Sequence, residues 1–282
     1  MTSIAITEYT DPACPFAWSA EPSRRRLEWL YGDQLTWELR MVGLAESDSV
    51  YAEKGLTPEM LSHGMESLGQ AHHMPMDTTP RDRVAGTWPA CRAVVAVRRH
   101  EPAKERAMLR ALRLEHFSGD GYLDETATLH AAARRAGIEP DALDEWLAED
   151  ETEQLFREDL EMSRTPTPSA LALNHKLADS ESGGRRYTCP SYELERDGAR
   201  ATAPGFQPTE SYEVAIANLA PDLTRREDTT DVAEVLAWAG EPLATAEVAA
   251  VTKQDLDATR QALSHVADET PIGPEGIWTL RG

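Results

Sequence analysis

A short apolar run from Ile4 ends at Asp11-Pro12, and a cysteine, a proline and a helix-forming segment follow at once. The pattern predicts strand, turn and helix start. Cys14 is then the cap residue and Pro15 the first helical position, where the missing N–H has no intrahelical partner to lose. The helix is expected to reach Tyr31 with Ala17, Trp18, Leu27 and Leu30 on its inner face, to kink or break at Pro22, and to stop at Gly32. Leu35, Trp37, Leu39 and Met41 then alternate with Thr36, Glu38 and Arg40, the period of a strand with one buried face. Strand, helix and strand in this order imply a right-handed parallel crossover.

From Thr57 to about Leu177 the apolar spacing is helical, over 58–70, 89–100, 103–117, 125–136, 141–148, 152–162 and 169–178. So long a span between strands predicts an inserted helical subdomain and not a loop. A polar break at 180–186 leads to a strand over 187–195, a hairpin turn at Asp197-Gly198, a return strand over 199–203 and a helix through Tyr212, Ile216 and Leu219. Residues 221–228 read as a linker. Three short helices (231–239, 244–251, 253–266) and a strand over 273–280 follow, in the order of a winged helix-turn-helix. The expected units are a discontinuous core (1–56 and 183–222), an insertion (57–182) and a C-terminal unit (229–282).

The formal charge of -21, with lysine only at positions 54, 104, 176 and 253, gives a surface that repels phosphate backbones and anionic lipids. Residues 227–282 hold eleven acidic groups against Lys253, Arg260 and Arg281, so the C-terminal unit is expected to make protein contacts and not to read DNA. The acidic groups are spread along the chain, which suits a surface adapted to high salt. No apolar run approaches the roughly 18 residues of a membrane span, and the first residues lack the charged region of a signal peptide, so the expected location is the cytoplasm.

Three cysteines, Cys14, Cys91 and Cys189, are too few and too widely spaced for a disulfide scaffold or a four-ligand zinc site, and suit redox or catalytic use. A thiol at a helix start faces unpaired amides and the positive end of the helix dipole, and both favour its thiolate. Cys91, within an apolar helical pattern, reads as a core residue. His63, His72 and His73 share no helix face, and no metal site is expected. Glu8 and Asp11 read as carboxylates near enough to perturb the thiol, with solvation at the surface the simpler account, and Trp88 as a core residue or the wall of a substrate groove.

Asp11-Pro-Ala-Cys-Pro-Phe-Ala-Trp18 resembles the Asp-Pro-x-Cys-Pro-Trp-Cys-Trp/Tyr signature of DsbA-like thioredoxin-fold proteins, particularly the FrnE-type branch, with Ala17 at the second cysteine. Thr87 to Ala93 resembles the start of that family's insertion helix facing the active site. The resemblance implies an α/β thioredoxin-like fold with an inserted helical subdomain. To it the pattern adds a small winged-helix-like C-terminal domain. It also implies that Cys189-Pro190 is the cis-proline loop beside the motif cysteine. The implied activity is thiol-disulfide exchange. Cys14 would attack, Cys189 or a small cellular thiol would resolve, and Pro15, Phe16, Pro190 and Trp88 would bind substrate. No tightly bound cofactor is implied beyond a low-molecular-weight thiol. Partners would be a protein or small-thiol disulfide, with a protein partner on the C-terminal unit. DsbA-like adaptors of the ClpXP protease suggest a non-enzymatic alternative, and 2-hydroxychromene-2-carboxylate isomerases suggest a thiol-dependent isomerase or transferase.

Overall fold

The first apolar run is strand β1 (Ile4–Thr10) and the alternating segment is β2 (Leu35–Met41), paired in parallel from Ile4 opposite Leu35 to Thr10 opposite Met41. The structure is a computed structural model that describes residues 3–119, 121–181 and 183–282. The connecting helix has two pieces, α1 (Pro15–Ser19) and α2 (Glu21–Tyr31). Pro22 lacks the N–H that would carry the hydrogen-bond ladder across the break. Ala17, Trp18, Leu27 and Leu30 are buried, and Gly32 ends α2 with φ of 52°.

Helix α3 (Asp48–Glu53), which the apolar spacing did not signal, precedes α4 (Pro58–His72). The insertion continues with α5 (Trp88–His100), α6 (Glu105–Phe117), α7 (Thr126–Arg135), α8 (Pro140–Leu147) and α9 (Asp150–Ser163). Val94, Leu112, Leu143 and Phe156 form its core, which closes over Leu39 and Met41 of β2. The helix expected over 169–178 is only α10 (Pro168–Ala172). Arg185 donates to the carbonyls of Asn174 and Leu177, at 2.7 and 2.5 Å, and so holds the chain in a turn. Strands β3 (Ala178–Asp179) and β4 (Arg185–Arg186) then pair, so the expected polar break is the tip of a small hairpin; its residue 182 lies outside the described residues.

Strand β5 (Ser191–Arg196) starts later than expected, after the cis Cys189–Pro190 peptide, because Pro190 has no N–H to offer a ladder. Asp197 and Gly198, both at positive φ, turn it into β6 (Ala199–Ala203), as a two-residue hairpin requires. The sheet order is β2-β1-β5-β6, with Tyr9 opposite Ser191 in the antiparallel β1–β5 pair. Tyr212 and Ile216 of α11 (Thr209–Leu219) share a core with Leu27 and Leu30 of α2 on the other face. This is a thioredoxin-like α/β fold with a helical insertion.

The C-terminal region comprises α12 (Val232–Ala239), β7 (Leu243–Ala244), α13 (Thr245–Thr252), α14 (Leu256–Val266), β8 (Ala267–Ile272) and β9 (Glu275–Leu280). Its small sheet runs β7-β9-β8, with a two-stranded hairpin where a single strand was expected. Pairing with β9 makes a strand of Ala267–Ile272, whose sequence shows no apolar alternation. Residues 221–228 are not a free linker: Arg226 N donates to Leu30 O at 2.8 Å and Trp29 Nε1 to Glu227 O at 3.1 Å. Among the described residues no helix is long and apolar enough to cross a membrane.

Candidate active site

The β1–β5 register decides which cysteines meet. Tyr9 lies opposite Ser191, so the turn after β1 and the loop before β5 emerge side by side at the same end of the sheet. The stacked rings of Tyr9 and Tyr187, 4.0 Å apart, fasten the two segments, and Ser191 Oγ closes the second by donating to Thr188 O at 2.6 Å. Cys14, the cap residue of α1 with Pro15 behind it, then sits against Cys189, its Sγ donating to the Cys189 carbonyl at 3.4 Å. Both cysteines are free and buried, with Cys14 6% exposed.

Their protons are unequally held. The Cys189 thiol beside it draws the Cys14 thiol below its ordinary value; burial opposes this, while the backbone N–H groups of Ala17 and Phe16 help. Burial, followed by the hydrogen bond to Cys14, pushes Cys189 well up. The pair therefore has one favoured thiolate, Cys14, as a nucleophile requires.

Beneath it lies a group whose sequence signal was misread. Asp11 is fully buried, not solvated, because the turn folds it inward. Its Oδ1 accepts the Ala13 N–H at 2.9 Å. Its Oδ2 accepts the Leu44 N–H at 2.9 Å, the Thr87 hydroxyl at 2.9 Å and the Cys91 thiol at 3.4 Å. Burial raises the Asp11 carboxyl against these four donors. Burial and the adjoining carboxylate push Cys91 well above the usual thiol range. Glu8 is buried as well, paired with Arg106 at 3.1 Å.

A cavity of about 500 Å³ opens beside the turn that carries Cys14, lined by Ala13, Pro15 and Phe16 of the turn and α1, by Leu61 and Met65 of α4, and by Tyr51 of α3, while Cys14 and Cys189 themselves do not line it. Its lining is mainly apolar. Phe16, 46% exposed, stands at its edge and meets Phe206 edge-on at 6.3 Å. Burial first, and then the charges of Asp11 and the cysteines, push the Tyr51 hydroxyl up. No motif marked Tyr51; its place follows from the short helix that the apolar spacing did not reveal. Trp88, proposed as a groove wall, is not among the lining residues. Its ring packs edge-on against Phe156 at 5.4 Å and its Nε1 donates to Gly43 O at 3.3 Å, which turns it into the insertion core. Pro190 shapes the loop at Cys189 and does not line the cavity.

Residues 5–165 match the family model described as a DSBA-like thioredoxin domain. The chain belongs to this family. Solved structures share the DSBA-like fold at low identity. A putative protein disulfide isomerase from Nitrosomonas europaea is 19% identical with a TM-score of 0.57, over 78% of this chain and 96% of that one. A probable DsbA oxidoreductase from Streptomyces coelicolor is 17% identical with a TM-score of 0.54, over 79% and 93%. The cytosolic disulfide reductase DsbM from Pseudomonas aeruginosa is 18% identical with a TM-score of 0.51, over 74% and 91%. No curated protein matches the sequence significantly. The family model ends within the residues just after α9, so the C-terminal region lies outside it. The DSBA-like chain carries Ala17 where dithiol members of the resemblance have a second cysteine, and Cys189 is the thiol that its fold brings to Cys14.

Proposed function

We propose that this DSBA-like protein is a cytoplasmic thiol-disulfide oxidoreductase that uses Cys14 as nucleophile and Cys189 as resolving thiol. The observation that carries the reading is the Cys14–Cys189 contact at the start of α1, with Cys14 the member whose proton is held less tightly. The Cys14 thiolate attacks one sulfur of a substrate disulfide, a bond forms between the two sulfurs, and the other substrate sulfur leaves as a thiolate that takes up a proton. Cys189 then loses its proton and attacks Cys14 Sγ. A Cys14–Cys189 disulfide forms and the second substrate thiol is released. Two equivalents of a small cellular thiol return the pair to its reduced form, themselves becoming a disulfide.

The apolar cavity suits the substrate group attached to the attacked sulfur, with Pro15 and Phe16 at its mouth; about 500 Å³ is within the usual size of a small-ligand site. A fold relative, DsbM, is a disulfide reductase also described with GSH, and we extend a small-thiol partner to this chain on that likeness. The same cavity supports a second reading, a thiol-dependent isomerase or transferase acting on a small apolar substrate.

Reduction of a small mixed disulfide, followed with the wild type and with Cys14→Ala and Cys189→Ala, tests the first reading. Turnover should vanish in Cys14→Ala. In Cys189→Ala the mixed disulfide between Cys14 and the substrate should accumulate and be released only when a small thiol attacks it. Activity that survives Cys14→Ala would end the proposal, and product formation without net disulfide reduction would favour the second reading.

A further inference from the structure

Five carboxylates are buried among the described residues: Glu8, Asp11, Glu21, Asp159 and Glu247. Four have an arginine partner. Glu8 pairs with Arg106 at 3.1 Å, Asp159 with Arg98 at 2.7 Å, Glu247 with Arg110 at 2.8 Å, and Glu21 with Arg24 and Arg113. Among the described residues no cation pairs with Asp11, although it is 0% exposed. A buried carboxylate without a counter-charge is costly to keep ionised, and this one lies under the cysteines.

Its four donors come from separate parts of the fold. Ala13 belongs to the turn that carries Cys14, Leu44 to the segment after β2, Thr87 to the cap of α5, and Cys91 to α5 itself. The Asp11 carbonyl also accepts the Cys14 N–H at 3.2 Å. The residue thus holds the nucleophile's own backbone while its carboxylate ties that turn to the insertion.

We propose that Asp11 is the positioning residue of the thiol site: it clamps the Cys14 turn to the segment after β2 and to α5, it holds Cys91 as a hydrogen-bond donor, and its negative charge opposes ionisation of the thiols around it. Cys91 gives its S–H to the carboxylate and stays out of the exchange. Cys14, which faces the Phe16 and Ala17 N–H groups instead, is left as the thiol that ionises. The proposal rests on the reading of Cys14 as the reactive thiol but not on turnover. The net shifts differ, downward for Cys14 and upward for Cys91 and Cys189, but in all three the Asp11 charge opposes ionisation, as a like charge must. The other groups facing the cysteines are Tyr51 of α3, Arg164 beside the end of α9, and Arg186 of β4.

The test is the pH profile of Cys14 alkylation, mapped by peptide mass, in the wild type and in Asp11→Asn. The asparagine keeps the shape and one acceptor oxygen but removes the charge. The Cys14 midpoint should fall by about one pH unit, the size expected for loss of a nearby like charge. An unchanged midpoint in a cooperatively folded Asp11→Asn protein would overturn the proposal. Should that variant not fold, the clamp is read at the carboxyl itself. The Asp11 carboxyl, followed by carbon NMR, should titrate higher in Cys91→Ala than in the wild type, because the hydrogen bond from the thiol to the carboxylate is lost, and equal midpoints would overturn the proposal equally. Neither measurement needs catalysis, so an inactive enzyme with coupled titrations would sink the oxidoreductase reading and leave Asp11 in its role.

Discussion

Cys14 and Cys189 are a pair in which one sulfur is favoured as thiolate and the other as thiol, which is the state from which an internal disulfide forms. Cys14 Sγ reaches the Cys189 backbone at 3.4 Å, so the fold already holds the two residues side by side. Cys91 is 0% exposed and donates a hydrogen bond from its S–H to Asp11 while keeping its proton, which leaves it unreactive. Mild oxidation of the native protein should therefore yield a reversible Cys14–Cys189 disulfide with Cys91 free. Peptide mapping under non-reducing conditions checks this, and adducts of Cys14 with small thiols, with Cys189 untouched, would show a single-thiol site. The cysteines were legible as candidates from their neighbours in the sequence. Asp11 was visible as part of the motif but its burial was not, since a lone carboxylate after a strand has no period that says which way the turn folds.

At the scale of elements, α2 is where the C-terminal region joins the core. Glu247, in the first turn of α13, accepts the Ala244 N–H at 2.7 Å and two bonds from Arg110 of α6 at 2.8 Å. Arg25 of α2 donates to it at 3.3 Å. Trp18 of α1 shares an apolar cluster with Ala244, Ile272 and Ile277, so the helix that presents Cys14 rests partly on the C-terminal region. Removing one partner of a buried ion pair costs about 3–5 kcal/mol. Glu247→Ala should thus lower the melting temperature by roughly 10 °C at neutral pH. Burial raises the Glu247 carboxyl, but Arg110 and Arg25 outweigh it, and the net shift is downward. A depressed folded pKa stabilises above the unfolded value of about 4.3, and that stability is lost as pH falls through the folded one. The wild-type advantage over Glu247→Ala should accordingly shrink below about pH 4. Equal melting temperatures at neutral pH would mean that the network contributes nothing net.

For the molecule as a whole, burial leaves the charge excess on the surface. The five buried carboxylates are equalled in number by five buried arginines, Arg24, Arg25, Arg26, Arg110 and Arg113, among the described residues. The formal excess of -21 consequently sits outside, where it repels itself. Repulsion is longest-ranged when the Debye length is about 30 Å at 0.01 M salt, and is cut to about 3 Å at 1 M. The melting temperature should rise steadily with potassium chloride over that range. A flat response would mean that the acidity has no part in stability and would remove the argument for adaptation to salt.

What the sequence determined by itself is what local periodicity and backbone chemistry can encode. The alternation over Leu35–Met41, the break at Pro22, the turn at Asp197-Gly198 and the place of Cys14 before Pro15 all rest on residues within a few positions of one another. The paired hairpin of β8 and β9, the short α10 and the unmarked α3 were not encoded in that way, because pairing partners and capping groups such as Arg185 override weak local preference. Nor was the site complete in the sequence. Cys14, Thr87, Cys91 and Cys189 are far apart along the chain, and the β1–β5 register and the closure of the insertion over β2 brought them around Asp11. Only the tertiary structure sets which residues share a desolvated space. That shared space decides which thiol ionises and makes Asp11 a buried charge.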